Sequence, residues 1–376
     1  MAMPTSPLKE TSDTLLQDAP NNTPQEKIDQ SQCPTDQEAQ RASSIITQYL
    51  RDNVAEFRRL TELRQQGWSN PEGDRYFQKQ RHNADNADEK MAQIFYKMMK
   101  EIGQEMHRST GALAISKTAA NSPTILDICM APGGFLATTL DLNSGAHALG
   151  FSLPVSEGGH KVLLHTDPNV TLKFLDVTML AADIGVTDFS SEHPEARNML
   201  PQQFGPGQLF DLVLCDGQVL RTHIRVAYRE NRQARRLTVT QLAIGLERVK
   251  IGGTMVVLLH KFEAADTVSL LYTFNKFASI KLFKPTRHHA KRSSFYMVAT
   301  NIQSQHCEAV LAVERWKRQW KVATFGTDVE YKEELRVECL HAEEVLEEFG
   351  SELVKLGREV WGIQVRALEK APFIKK

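Results

Sequence analysis

Residues 123–135, Pro-Thr-Ile-Leu-Asp-Ile-Cys-Met-Ala-Pro-Gly-Gly-Phe, constrain the fold of this chain more than any other stretch. An apolar, β-capable run over 124–130 ends in a loop of small residues, and 136–142 reads as the start of a helix. Gly133 and Gly134 permit positive φ and let another group come close to the backbone. The amides at the head of the following helix then face whatever the loop surrounds. Strand, tight loop and helix in that order are how a doubly wound α/β fold holds a nucleotide-like ligand at the carboxyl end of its first strand. The spacing is neither Gly-x-Gly-x-x-Gly nor the Gly-Lys-Ser/Thr of a phosphate loop. What is left is a loop for a ligand such as S-adenosylmethionine, weighed against an ordinary strand–loop–helix turn.

The flanking pattern supports the α/β reading. Strands are predicted at 124–130, 147–153, 172–175, 209–214, 254–259, 280–283 and 295–300. Helices are predicted after the first strand and over 233–250 and 264–277. Strands alternating with helices imply a mostly parallel sheet covered on both faces. The last two strands are separated by a basic loop and no helix, so they form an antiparallel pair at the edge. Seven strands with that ending are the plan of a Rossmann-like class I methyltransferase. Residues 185–207 lack a clear period and read as a surface insertion.

The ends of the chain are of another kind. Residues 1–40 carry seven acids against two lysines and few large apolar side chains, the composition of a disordered tail. A helical extension is expected over 41–110. Its first helix starts at Ser43, with Ile46, Tyr49, Leu50, Val54, Phe57, Leu60 and Leu63 on one face, and ends at Gly67 and Asn70-Pro71. Its second runs over 86–106. The core domain is placed at 111–302 and a helical C-terminal extension at 303–376. There Trp316 and Trp320 share a helix face, and Leu346, Phe349, Leu353, Leu356, Val360 and Ile363 form an apolar stripe. That stripe either packs on the core or docks a protein partner. Five scattered cysteines without a Cys-x-x-Cys pair argue against a disulfide scaffold or a structural zinc site. With no apolar leader and no long apolar run, an intracellular protein, cytoplasmic or nuclear, is expected.

Chemistry belongs at the strand ends. Asp211-Leu-Val-Leu-Cys-Asp216-Gly217 is an apolar strand ending in an acid. Gly253-Thr-Met-Val-Val-Leu-Leu-His-Lys261 is another, ending in a lysine. A lysine leaving a buried strand loses solvation, which favours its neutral, basic form, whereas a neighbouring carboxylate favours the ammonium. Two basic stretches flank these positions: Arg221, Arg225, Arg229, Arg232, Arg235 and Arg236 after Asp216, and Lys281, Lys284, Arg287, Lys291 and Arg292 with His288 and His289. Such clusters bind phosphate backbones or are simply solvated or internally paired faces. The histidines lack ligand spacing with Cys or acidic partners, so no metal site is read.

The ordered set resembles a known family. Asp127-x-x-x-Ala131-Pro132-Gly133-Gly134-Phe135, then Asp216-Gly217, then Lys261, then Lys284-Pro285 with a basic loop and Tyr296-Met297-Val298, looks like the FtsJ-like ribose 2′-O-methyltransferases. In motif style it is nearer to the mRNA cap ribose methyltransferases than to the bacterial ribosomal enzyme, and the likeness covers about residues 90–302. The resemblance implies S-adenosylmethionine as cofactor, held by Asp127, the 131–135 loop, Asp176 beside the adenine, and Asp216. It implies RNA as substrate, contacted by Arg221, Arg225, Lys284 and Arg287. It also implies a Lys-Asp-Lys-Glu tetrad. Lys97 (with Lys100 as a weaker candidate), Asp216 and Lys261 match three members, with Lys261 taking the proton from a ribose 2′-hydroxyl that attacks the cofactor methyl in line.

Two departures stand out. Ser294 occupies the position of the tetrad glutamate, and Glu263 is a weak substitute. The segment after the second strand, Phe151-Ser152-Leu153-Pro154, lacks the acid that often binds the cofactor ribose. The expectation is therefore an RNA 2′-O-methyltransferase. Its rivals are a catalytically impaired protein that binds cofactor or RNA, and a methyltransferase with a small-molecule acceptor.

Overall fold

The computed structural model describes residues 34–85, 88–116, 122–338 and 342–374. Most of the expected 1–40 tail lies outside the described residues. Four helices come first: α1 (Pro34–Asn53), α2 (Ala55–Trp68), α3 (Pro71–Asp85) and α4 (Glu89–Thr110). The single helix expected from Ser43 to Gly67 is two. Val54 adopts an extended conformation, φ −131° and ψ 110°, and turns the chain between them while its side chain stays buried. Helix α3 was not expected, because its polar composition lacks a long apolar stripe; Pro71 supplies its preset first turn.

The core follows with β1 (Thr124–Asp127), α5 (Gly134–Leu142), β2 (His147–Ser152), β3 (Val170–Phe174), a short α6 (Ala181–Ile184), β4 (Phe210–Cys215), α7 (Gln233–Arg248), β5 (Val249–Leu259), α8 (Ala265–Asn275), β6 (Ser279–Phe283) and β7 (Phe295–Ile302). The seven strands form one sheet in the order β3-β2-β1-β4-β5-β7-β6. β7 alone runs against its neighbours, pairing Leu258 with Tyr296 and Phe283 with the same residue. Order reverses between β1 and β4, so the carboxyl ends of those two strands open the crevice where such folds bind ligands.

Period-two alternation sends successive strand residues to opposite faces. Val213, Cys215, Met255 and Val257 join the larger core with α7 and α8. Leu212, Leu214, Val256 and Leu258 pack with Phe95, Met98, Met99 and Ile102 of α4. Three C-terminal helices complete the chain: α9 (Cys307–Phe325), α10 (Asp328–Glu338) and α11 (Ala342–Glu369). Trp316 and Trp320 are buried, and the indole of Trp320 donates to the Thr178 carbonyl at 3.0 Å. The stripe of α11 packs on α1 and α2, where Trp361 meets Phe57 at 5.5 Å and Phe262 at 4.7 Å. The stripe is thus core, and the extensions wrap the sheet from both chain ends. No helix among the described residues is long and apolar enough to cross a membrane.

Candidate active site

Helix α4 crosses directly over the loop that follows β1. A Cβ at Gly134 would lie 2.3 Å from the Tyr96 carbonyl oxygen and 2.7 Å from the Met99 Cβ, so only glycine admits the helix there. Gly133 has φ 104° and caps α5. The two glycines divide their work. Gly133 makes the turn, and Gly134 seats α4 rather than a ligand. Phe135 also leaves the ligand side, being buried against Tyr296 with ring centroids 5.5 Å apart. Of the loop residues assigned to the cofactor, Ala131 and Pro132 line the crevice, while Gly133, Gly134 and Phe135 support it from behind.

The crevice is a cavity of about 180 Å³. Its floor is Ile128, Cys129, Ala131 and Pro132; one wall is Ser152, Leu153, Asp176 and Val177; another is the run 216–223 after β4. Phe95, Met98 and Met99 of α4 form an apolar side. Gln80 and Arg81 of α3, with Arg221 and Arg292, also line it. Arg292 donates to the Gln80 amide oxygen at 3.0 Å, and Arg221 to the Arg81 carbonyl at 3.2 Å. The contribution of α3 was invisible in the sequence because that helix itself was not recognised.

Two carboxylates meet at the strand ends. Asp127 is buried; its Oδ1 accepts from the Cys129 amide at 3.3 Å, and its Oδ2 has no hydrogen-bond partner among the described residues. Burial first, and the charge of Asp216 second, hold its carboxyl well above the usual range. Burial pushes Asp216, half-buried at the cavity wall, up to about 7. The Tyr296 hydroxyl is also buried without a hydrogen-bond partner among the described residues, and burial followed by the Asp216 charge raises it. Among the described residues this corner holds acidic groups and no cation that acts on either carboxyl.

Asp176 is differently placed. Its Oδ1 accepts from the Thr178 amide and hydroxyl at 2.9 and 2.8 Å. Its Oδ2 accepts from Arg229 at 2.7 Å and faces His223 at 3.4 Å. Although burial opposes it, the hydrogen bonds and charges of His223 and Arg229 hold this carboxyl well below its ordinary range. Arg229 also binds Glu195 at 2.8 Å, and the fully buried Arg236 joins Glu195 at 3.2 Å. Both oxygens of Asp176 are therefore engaged with protein groups, and the residue, expected beside the adenine, lines the cavity. Glu195 lies in the 185–207 segment, which is consequently no mere surface insertion.

Three of the four expected tetrad positions do not line the cavity. Lys97 is exposed and its charge acts on Glu101 one turn away; the phase of α4 presents Phe95, Met98 and Met99 instead. Lys100 pairs with Asp141 at 3.0 Å. Lys261 is exposed just beyond β5, in a left-handed conformation with φ 46°, so the desolvation expected of it is absent. Ser294 is buried, and its carbonyl accepts from the Lys284 ammonium at 2.8 Å. Glu263 pairs with Arg64 of α2 at 2.6 Å and does not replace the missing acid.

The basic stretches are mostly internal. Arg225 binds Glu230 through two bonds of 2.9 and 2.8 Å. Arg232 pairs with Asp328 and donates to the Gly326 carbonyl at 2.7 Å. Lys284 is buried and donates to the carbonyls of His289, Arg292 and Ser294, tying down the loop it was expected to offer to RNA. His288 binds Glu101 at 2.7 Å, and exposed Arg287 stands 3.6 Å from the same carboxylate. Of the four expected substrate contacts, Arg221 alone lines the cavity. Among the described residues, no group of three His, Cys, Asp or Glu side chains is placed to hold a metal.

Comparison with known proteins bears on this geometry. Residues 99–302 match the FtsJ-like methyltransferase family, more than half of the chain. The chain belongs to that family. By that match, residues 99–302 form an FtsJ-like methyltransferase domain. No curated protein sequence matches it. Solved structures with some likeness include an O-methyltransferase family protein from Burkholderia thailandensis. That protein shares 11% identity at a TM-score of 0.30, with 59% of this chain and 62% of that one covered, so this chain spans about three fifths of its length. A TehB-like SAM-dependent methyltransferase from Corynebacterium glutamicum shares 14% identity at 0.29, covering 60% and 96%. Human methyltransferase-like protein 13, solved with SAH, shares 10% at 0.29, covering 60% and 90%. The family match, rather than these likenesses, carries the assignment. The site itself suits the cofactor: an acidic corner with an orphaned Asp127 oxygen and no protein cation is matched by a sulfonium-bearing ligand.

Proposed function

We propose that this FtsJ-like protein transfers a methyl group from S-adenosylmethionine to a ribose 2′-hydroxyl of RNA. The observation that carries the proposal is the placement of Asp216 at the end of β4, in the wall of a cavity that Arg81, Arg221 and Arg292 also line. The exposed Arg221 is the one of these that suits a phosphate of a bound strand. The cofactor, when bound, supplies an electrophilic methyl on a sulfonium. Ala131, Pro132, Ser152, Leu153 and Asp216 line the space that would hold it.

Lys261 is the proposed base. A non-glycine residue at positive φ is a strained choice that surrounding structure must enforce, and such outliers concentrate at functional sites. RNA lying across the strand ends would cover this exposed lysine and supply the desolvation that the protein alone does not. Asp216 would orient the lysine or the hydroxyl through hydrogen bonding.

A second reading has its own observation. Lys97 faces solvent, Ser294 is buried and neutral, and Asp216 alone of the tetrad positions lines the cavity. That pattern suits a protein that binds cofactor and RNA without turning them over. The two separate in one assay: methyl transfer from labelled cofactor to capped and uncapped RNA, with Lys261→Ala alongside. Transfer abolished by Lys261→Ala supports the first reading. Tight cofactor binding without transfer supports the second. Label appearing on a small molecule but on no RNA overturns both.

A further inference from the structure

The acidic corner suggests a property of the cofactor site that the transfer reaction does not require. β1 and β4 are adjacent and parallel, with Asp127 in register with Leu214, so Asp216 leaves its strand beside Asp127. Asp127 is 1% exposed, and its Oδ2 is unpartnered. The titratable groups facing the pair are Cys129 after β1, Cys215 at the end of β4 and Tyr296 on β7. Burial raises all three, so each is neutral near pH 7. Among the described residues no lysine, arginine or histidine acts on either carboxyl. Two carboxylates in such surroundings cannot both ionise cheaply, and a proton is the simplest neutralising cation.

We propose that Asp127 and Asp216 hold one proton between them in the ligand-free protein and release it to solvent when a sulfonium cation binds, making the pair a selector for the charged cofactor over its neutral thioether product. The balance is simple. One O–H bond breaks, the proton passes to buffer, and the cation's positive charge replaces it beside the carboxylates. S-adenosylhomocysteine lacks the sulfonium charge and displaces no proton. Burial pushing Asp216 up to about 7 places the exchange near neutral pH. Below that pH, affinity for the cation should rise by up to about tenfold per pH unit while affinity for the thioether stays flat.

The inference rests on the cofactor and is independent of the acceptor. Its test is calorimetric titration of the full chain with S-adenosylmethionine and S-adenosylhomocysteine from pH 5.5 to 8.5, in two buffers of different ionisation enthalpy. The expected result is release of up to one proton for the sulfonium, largest below pH 7, and none for the thioether. Asp127→Asn should shrink that release while the protein still melts cooperatively, and Asp216→Asn offers a second test if Asp127→Asn does not fold. Binding of both ligands with the same proton release and pH profile overturns the proposal and leaves the cofactor assignment standing. Failure of both ligands to bind at any pH overturns both.

Discussion

Replacing Arg229 by methionine should cost far more than its place in an arginine-rich stretch suggests. Its guanidinium donates to Asp176 at 2.7 Å, Glu195 at 2.8 Å, Gln233 at 2.8 Å and the Thr178 hydroxyl at 2.8 Å. The side chains of Arg229, Asp176 and Glu195 are 3%, 8% and 2% exposed, so solvent screens little of the arrangement. Methionine fills much of the volume but leaves two buried carboxylates short of their main cation. Breaking one partner out of a buried pair typically costs about 3–5 kcal/mol. Arg236 still faces Glu195 and His223 still faces Asp176, which places the expected loss toward the lower end. Arg225→Met, four residues away, removes a pair whose glutamate is 66% exposed and should cost about 1 kcal/mol or less. Urea unfolding followed by tryptophan fluorescence measures both, with Trp320 reporting on the same region through its bond to Thr178. Equal midpoints for the two variants would refute the claim that this arginine is structural. Acid adds a check of sign. The folded-state carboxyl of Asp176 is depressed, so its stabilising share is complete above the unfolded value near 4 and disappears as pH falls below it. Wild-type protein should therefore lose stability more steeply below pH 4 than Arg229→Met does.

Other consequences follow from the same geometry. Gly134→Ala puts a methyl group against the Tyr96 carbonyl and Met99, which should cost about 1–3 kcal/mol and weaken cofactor binding, as thermal shift with and without S-adenosylmethionine would register. Asp216 is raised in the fold, so the folded state holds a proton that the unfolded state loses near pH 4. Stability is then lost as pH climbs toward 7, and Asp216→Asn should melt higher than wild type at pH 8 but not at pH 4. Arg221→Ala should reduce the salt dependence of RNA binding by about one phosphate contact without changing the melting temperature, whereas Lys284→Met should lower the melting temperature by releasing three carbonyls.

How far the sequence reached depended on the range of the signal. Strand identity comes from local apolar runs, and all seven strands stand where their runs predicted, with the last two antiparallel as expected; that β7 inserts between β5 and β6 was not read. The strand-end position of Asp216 followed from the same runs. Partners of a charge are not local. Arg229 finds Glu195 34 residues away and Arg232 finds Asp328 96 residues away, so neither pairing could be read from the basic stretch that contains them. Burial of Lys284 depends on how the loop behind it closes. The phase of α4 decides that Met98 and Met99 face the crevice while Lys97 does not, and Gly134 sets that phase by admitting the helix backbone. Helix α3 was lost because its apolar contacts, Tyr76 and Phe77 against Phe373, are made with the far end of the chain.

The most direct test of the functional account is nucleoside analysis of RNA treated with the protein and S-adenosylmethionine. Digestion to nucleosides followed by mass spectrometry should show a ribose 2′-O-methylated nucleoside that disappears with Lys261→Ala and with Asp216→Asn. Methylation confined to a base, or bound cofactor with no methylated nucleoside at all, would contradict it.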